Sequence, residues 1–305
     1  MSKTIRIGTR DSELALWQAH TVQKKLNDLG YKTEITAVKS QGDIILDKPL
    51  YELGITGIFT KTLDIAMING QVDIAVHSMK DVPTALPIGI VQAAVLERAN
   101  TLDILVHKGN LDFLNGEGTI ATGSLRRQAQ WLNKYPNHKV VDLRGNVNTR
   151  MQKLQDSNWS GAVFAAAGLE RINLKPSNYI NLDWIIPAPA QGAMVIVAMA
   201  NDDFCRDAVA ELNDIETEVC THIERQFLKT LEGGCTAPIG ALATIQEDEI
   251  VFSGVLFSLD GKEKIEVNKI VPLEEWKKLG FIAAKEILDN GGVSLMERIR
   301  KVLKK

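Results

Sequence analysis

Arginine, lysine, serine and threonine recur in this chain where an apolar, strand-like run gives way to a helical pattern. These stretches are GTRDS at Gly8–Ser12, HSMKDV at His77–Val82, ATGSLRRQ at Ala121–Gln128, LRGNVNTR at Leu143–Arg150, AGLER at Ala167–Arg171, and Gln191–Gly192. In an open α/β sheet, ligands bind at the carboxyl ends of the strands, where helix N-termini offer unpaired N–H groups to anions. The pattern therefore predicts a binding site for an anionic ligand.

Arginine is the basic residue that dominates these stretches. The arginines are Arg10, Arg126, Arg127, Arg144, Arg150 and Arg171. A guanidinium group donates two parallel hydrogen bonds to one carboxylate, and the turn Thr122, Gly123, Ser124 suits a carboxylate or a phosphate. Because the formal net charge is −3, arginines gathered in one cleft would serve a ligand with several negative charges. The alternative for each arginine is a helix cap or an ion pair with an acid.

Cys235 is the cysteine best suited to covalent chemistry. It follows Gly233 and Gly234, and glycines leave room for another group to approach the sulfur. A thiolate is a natural nucleophile for covalent attachment. Cys205 and Cys220 lack this setting, and we expect them to be buried apolar residues.

Lys80 and Asp81 stand side by side after an apolar strand. A carboxylate there could stabilise a developing cation while the lysine binds acid groups of a ligand. The alternative is a surface ion pair that contributes little. His77 precedes this pair, and we expect it to make a supporting hydrogen bond rather than to act in catalysis.

The elements that must position these residues follow from the periodicity of apolar residues. Strands at Ile5–Ile7 and Thr33–Val38, a helix closed by Gly30, a second helix ending near Gly70 and a strand at Asp73–Val76 give the order βαβαβ. This order predicts a mostly parallel sheet covered by helices.

The same alternation restarts after a polar stretch near Glu97–Asp103, which predicts a second α/β lobe. From about residue 216 a helix is followed by strand-like runs and then by two helices, which predicts a smaller α+β domain. The predicted fold class is therefore α/β, with two lobes around a central cleft and a C-terminal α+β domain.

Composition narrows the class of protein. The 305 residues are 45% hydrophobic and 24% charged, which is typical of a globular chain with two or three domains. A negative net charge and 6% aromatic residues disfavour nucleic acid as a partner. The cysteines form no CxxC pair, which disfavours a disulfide framework or a zinc site. With neither a secretory signal nor a membrane span in the sequence, we expect a cytoplasmic protein.

Together, seven motifs closely resemble the porphobilinogen deaminase family. They occur in the family's order from Arg10 to Gly240: IGTRDSELALWQA, DIAVHSMKDVP, TGSLRRQ, LRGNVNTR, AAGLERI, PAPAQGA and LEGGCTAPIG. The resemblance implies two lobes like those of periplasmic binding proteins and a third domain that carries the cofactor. We place lobe 1 at residues 1–98 with 194–214, lobe 2 at 99–193 and the third domain at 215–305.

The resemblance also implies a reaction and a cofactor. The family polymerises four porphobilinogen molecules head to tail, with release of ammonia, to give the linear tetrapyrrole hydroxymethylbilane. Cys235 matches the cysteine that holds a dipyrromethane cofactor through a thioether. Asp81 matches the catalytic aspartate, which contacts pyrrole nitrogens and stabilises the azafulvene-like cation left when ammonia departs. A monomer without a metal is implied.

The resemblance assigns further site residues to positions of this chain that match the family's motifs. Lys80 and Arg10 join Asp81 as catalytic residues. The expected cofactor-binding residues are Cys235, Lys80, Asp81, Thr122, Ser124, Arg126, Arg127 and Arg144. The expected substrate-binding residues are Arg10, Ser12, Gln18, Phe59, Arg144, Arg150 and Arg171.

One segment departs from the family pattern. Gln41, Glu52 and Thr56 stand where the family often has arginine or lysine in a mobile lid. We expect this lid to hold carboxylates more weakly, or through neutral hydrogen bonds.

Other functions remain possible on the residues alone. A two-lobed module that binds a polycarboxylate or another anion without catalysis is the main alternative, although it predicts no role for a thiol. A phosphate-handling transferase fits TGSLRR, but the chain has no GxxxxGK loop.

Overall fold

The computed structural model describes residues 3–39, 57, 59–231 and 237–303. The strands, in chain order, are β1 (Ile5–Arg10), β2 (Thr33–Val38), β3 (Ile74–Ser78), β4 (Ile90–Val95), β5 (Asp103–His107), β6 (Thr119–Ala121), β7 (Lys139–Val141), β8 (Gly161–Ala165), β9 (Tyr179–Asn181), β10 (Met194–Met199), β11 (Ile239–Gln246), β12 (Glu249–Phe257) and β13 (Lys264–Pro272). The helices are α1 (Glu13–Asp28), α2 (Lys61–Ile68), α3 (Leu125–Lys134), α4 (Val147–Asp156), α5 (Ala166–Arg171), α6 (Asp203–Ala210), α7 (Ile215–Thr230), α8 (Trp276–Ile287) and α9 (Val293–Leu303).

The chain divides into two compact units. The first contains the described residues up to Ala99 together with Gly192–Glu218. The second contains Asn100–Gln191 and the described residues from Val219 onward. The domain boundaries given above stay a prediction.

A five-stranded sheet in the order β2-β1-β3-β10-β4 forms the first unit. β1 is parallel to β2 and β3, whereas β10 lies between β3 and β4 and is antiparallel to both. β2, β1, β3 and β4 therefore all run in the same direction, which confirms the prediction of a mostly parallel sheet. The exception is β10, where the chain returns to this unit and enters the middle of the sheet in the opposite direction.

The second unit contains a sheet of the same design, in the order β7-β6-β8-β5-β9. β6 is parallel to β7 and β8, whereas β5 is antiparallel to β8 and β9. Its strand β5 begins at Asp103, a residue that the sequence analysis placed in a polar connection. That placement is corrected, because Asp103 is buried in the sheet.

Helix ends follow the sequence signals closely. α1 ends just before Gly30, whose φ of +89° is readily adopted by glycine and whose N–H donates to the Asn27 carbonyl at 2.9 Å. The buried face of α1 consists of Ala15, Gln18, Ala19, Val22 and Leu26, at the spacing of one helix face. α1 is thereby held on the sheet directly after the Arg10–Ser12 turn.

The C-terminal part is an antiparallel sheet, β11-β12-β13, packed against α7, α8 and α9, which is the predicted α+β arrangement. Phe227 of α7 meets Phe252 of β12 edge to face, with ring centroids 5.3 Å apart. A side chain at Gly280 would overlap the Ile223 carbonyl, so glycine lets α8 approach α7 closely. Within the described residues, no helix has the length and hydropathy needed to cross a bilayer.

Candidate active site

The predicted site residues of the first unit lie at one edge of its sheet. β1 ends at Arg10 and the parallel strand β3 ends at Ser78, so both carboxyl ends share this edge. The antiparallel β10 begins there, because Met194 pairs with Ser78. A short 3₁₀ turn, Met79–Asp81, follows β3 and carries Lys80 and Asp81.

A cavity of about 60 Å³ opens at this edge. Its polar and aromatic lining consists of Arg10, Ser12, Gln18, Phe59, His77, Ser78 and Asp81. The structure thus brings together five residues that the sequence analysis assigned to catalysis or substrate binding.

Two contacts orient side chains in this cavity. The guanidinium carbon of Arg10 lies 4.5 Å from the centre of the Phe59 ring, which is cation–π distance. Gln18 is buried in α1, and its Nε2 donates to Ser78 Oγ at 2.8 Å. Ser12 is the N-cap residue of α1, and its side chain makes no capping hydrogen bond.

His77 lines the same cavity and is 5% exposed. Among the described residues, its Nε2 has no hydrogen-bond partner. The predicted supporting hydrogen bond is therefore wrong for this atom. Burial, and next the charge of Arg10, lower the pKa of His77 to about 4, so the ring is uncharged at neutral pH.

In the second unit, the turn between β6 and α3 has the expected geometry. Ser124 is the N-cap of α3 and its Oγ accepts from the Arg127 N–H at 3.4 Å, while Thr122 Oγ1 accepts from the Ser124 N–H at 3.2 Å. A Cβ at Gly123 would lie 2.6 Å from the Leu143 carbonyl oxygen. Glycine therefore allows this turn to touch the loop after β7.

Arg126 and Arg127 share an acid that the sequence analysis missed. Arg126 Nη1 lies 2.7 Å from Asp103 Oδ2, and Arg127 donates to Asp103 Oδ1 through Nε at 3.0 Å and Nη2 at 2.7 Å. Burial alone would raise the pKa of Asp103, but both guanidinium charges outweigh it and hold this pKa well below its usual range. The sequence feature that could have identified Asp103 is an acidic residue at the first position of an otherwise apolar strand.

Arg126 and Arg127 differ in how many of their guanidinium nitrogens have a hydrogen-bond partner. Arg127 also donates through Nη1 to the Val163 carbonyl at 3.1 Å, so each of its nitrogens has a partner. Arg126 Nη1 donates to the Ile186 carbonyl at 2.8 Å, but its buried Nε has no partner among the described residues. Burial lowers the pKa of Arg126, and Asp103 offsets part of this effect. Arg126 therefore retains donor capacity.

Gln191 completes the group around Asp103. Its Nε2 donates to Asp103 Oδ1 at 2.9 Å and to the Thr101 carbonyl at 2.8 Å. The preceding Ala190 has a φ of +63°, and its N–H donates to Glu224 Oε2 at 2.6 Å. The PAPAQGA motif thus holds the start of β5 in place.

Arg144, Arg150 and Arg171 belong to the loops and helices after β7 and β8. Arg144 is buried, and burial lowers its pKa more than the charge of Asp142 raises it. Burial likewise lowers the pKa of Arg171 to about 10, against the opposing charge of Glu170. Arg10 lies in the first unit and the other five arginines in the second, so their convergence on one cleft stays a prediction.

Cys205 and Cys220 are buried, as predicted. Burial raises the pKa of the Cys205 thiol to about 12, which makes it a poor nucleophile at neutral pH. Cys205 lies beside Asp73 and Asp202, and Lys3 forms ion pairs with both acids. Cys235 and the lid positions Gln41, Glu52 and Thr56 lie outside the described residues.

Comparisons of the sequence with protein families and with curated proteins agree on one family. Residues 5–207 match the family description "Porphobilinogen deaminase, dipyromethane cofactor binding domain", and residues 218–289 match "Porphobilinogen deaminase, C-terminal domain". A porphobilinogen deaminase of Desulfitobacterium hafniense is 40% identical over 99% of both chains, and one of Chlorobium phaeobacteroides is 38% identical over 99% of both. A periplasmic substrate-binding protein of Coxiella burnetii aligns with 68% of this chain and 91% of its own, at 15% identity and a TM-score of 0.43. That score is too low to support an argument.

Proposed function

Because this chain belongs to the porphobilinogen deaminase family, we propose that it joins four porphobilinogen molecules head to tail, with release of ammonia, to give hydroxymethylbilane. The main support for this proposal is that the chain matches both domains of the family. In addition, Arg10 and Asp81 line the same cavity. An anion-binding module without catalysis is not favoured, because the relatives that match over nearly the full length are enzymes.

On the substrate side, Arg10 binds a carboxylate of porphobilinogen, while its cation–π contact with Phe59, at 4.5 Å from the ring centre, restrains the side chain. Ser12 and Gln18 add hydrogen bonds at the same wall. The Asp81 carboxylate stabilises the positive charge that develops on the substrate as its C–N bond breaks. Lys80, adjacent to Asp81, binds an acid group of the ligand.

The second unit has features that fit a polycarboxylate cofactor. The buried Nε of Arg126 lacks a protein acceptor among the described residues, and the Thr122–Ser124 turn begins a helix. When bound through Cys235, a dipyrromethane supplies the pyrrole carbon to which substrate units are added. Thr122, Ser124, Arg126, Arg127 and Arg144 would hold its acid groups.

Arg144, Arg150 and Arg171 are proposed to bind the acid groups of the growing chain. The support is that burial lowers the pKa of Arg144 and of Arg171, because a carboxylate from a ligand would offset that desolvation. Each pyrrole unit adds two carboxylates, so a lengthening chain needs several such cations.

We further propose that the protein is a monomer and that it works in the cytoplasm. The monomer is supported by the fact that a single chain carries every residue assigned above. Light scattering on the purified protein tests the monomer, since a dimer would double the measured mass. Cell fractionation tests the location.

Intact-protein mass spectrometry tests the proposed function. The purified chain should exceed its sequence mass by one dipyrromethane, and Cys235→Ser should lack the addition. Cys220→Ser is the matched control and should keep it. Wild-type protein that carries no addition and releases no ammonia from porphobilinogen would contradict the proposal.

A further inference from the structure

His77 is a buried histidine whose role the proposed chemistry leaves open. It lies in β3 opposite Val195 of β10, next to Ser78. It lines the cavity that also contains Arg10 and Asp81. Its Nε2 is inaccessible to solvent and has no hydrogen-bond partner among the described residues.

His138 shows how this chain treats a buried histidine with a structural role. His138 is 6% exposed, close to the 5% of His77. Its Nδ1 accepts from Trp131 Nε1 at 3.1 Å, and its Nε2 lies 3.0 Å from the Phe113 carbonyl oxygen. Since an unsatisfied buried polar atom costs free energy, a buried histidine without such bonds points to a ligand.

The charge state of His77 indicates which ligand atom it would bind. Burial and Arg10 keep the ring uncharged at neutral pH, so one ring nitrogen has a lone pair. Arg10 supplies donors for carboxylates, and the amide nitrogen of Gln18 is engaged with Ser78. An uncharged acceptor complements these groups, because porphobilinogen also carries N–H donors.

We propose that His77 is a positioning residue of this cavity, and that its uncharged ring accepts a hydrogen bond at Nε2 from an N–H group of the substrate after a small rotation of the ring brings this buried atom to the cavity surface. The proposal rests on the proposed function and adds a residue to that site. His77 fixes the orientation of the substrate relative to the Asp81 carboxylate, and it transfers no proton.

Two variants separate this role from a structural one. His77→Leu removes the hydrogen bond and fills the site with an apolar side chain, whereas His77→Gln keeps a polar atom near the position of Nε2. We expect His77→Leu to raise KM for porphobilinogen about tenfold, the loss typical of one hydrogen bond. His77→Gln should recover most of that loss.

Thermal unfolding gives the second readout. His77→Leu should raise Tm by about 2–4 °C, because it removes an unsatisfied buried nitrogen. His138→Leu is the matched control: it breaks two satisfied hydrogen bonds outside the cavity, so it should lower Tm and leave KM unchanged.

The results that would contradict the role of His77 differ from those that would contradict the proposed function. Suppose that the wild-type protein turns over porphobilinogen. His77 is then not a positioning residue if His77→Leu leaves KM unchanged, or if it raises KM and also lowers Tm. If the Leu and Gln variants both have a raised KM and the two values are equal, the effect of His77 does not come from a hydrogen bond. An inactive wild type without cofactor mass overturns the proposed function itself.

Discussion

Arg126 and Asp103 form an ion pair of 2.7 Å, with side chains only 4% and 0% exposed. The same carboxylate also serves Arg127, so two buried guanidinium groups share one acid. The group therefore retains an excess positive charge in a region from which water is excluded. If these arginines bind a ligand carboxylate as proposed, this excess charge would favour that binding although both side chains are already bonded to the protein.

Asp103→Asn should destabilise the protein strongly. The substitution leaves two buried cations without their acid, and breaking a buried pair in this way costs about 3–5 kcal/mol. Urea unfolding measures the change in free energy. Asp28→Asn is the control, because its exposed pair with Lys24 is worth at most about 0.5 kcal/mol. A loss for Asp103→Asn no larger than that of the control would contradict the assignment.

Gly123→Ala should disturb the turn formed by Thr122, Gly123 and Ser124. The new Cβ would lie 2.6 Å from the Leu143 carbonyl oxygen, which is backbone and cannot rotate away. We expect a loss of about 1–3 kcal/mol in unfolding free energy, as for other overpacked sites, and a lower fraction of chains with cofactor mass. Intact mass and urea unfolding measure both. A fully loaded variant of wild-type stability would show that the two loops do not depend on this contact.

The stability of the protein should depend on pH through His77. The unfolded ring has a pKa of 6.5 and the folded ring one of about 4, so between these values the unfolded state binds more protons. The free energy of unfolding therefore falls as pH is lowered from 6.5 to 4, by up to about 3 kcal/mol, and this contribution then levels off. The contribution of His77 is obtained by measuring the unfolding free energies of His77→Leu and of the wild type at each pH and taking their difference. A difference that is constant across this range would contradict the assignment.

Asp81→Asn should separate catalysis from cofactor binding. The amide keeps the shape of the side chain but loses the charge that would stabilise a cationic substrate. We expect kcat to fall about 10²–10³-fold, while the intact mass still shows the cofactor. Asp112→Asn, at an exposed acid outside the cavity, should keep the wild-type rate. A near-normal rate in Asp81→Asn would remove this carboxylate from the mechanism.

The sequence predicted the parts of the site that depend on local signals. The turn with Ser124 and the helix after it follow from capping and periodicity, and the Arg10 cavity follows from residues close to two strand ends. Asp103 was missed because its partners lie more than 20 residues away in sequence, and a lone acid beside a strand resembles a connection. The position of β10 was missed because apolar runs do not specify which strand pairs with which.

The central position of β10 sets the order in which the first unit can be completed during synthesis. Strands β3 and β4 are joined only through β10, which leaves the ribosome roughly a hundred residues after β4. Until then both have an unpaired edge, the feature that promotes aggregation of nascent chains. The first unit, although it contains the N-terminus, therefore cannot be completed until most of the second lobe has been made.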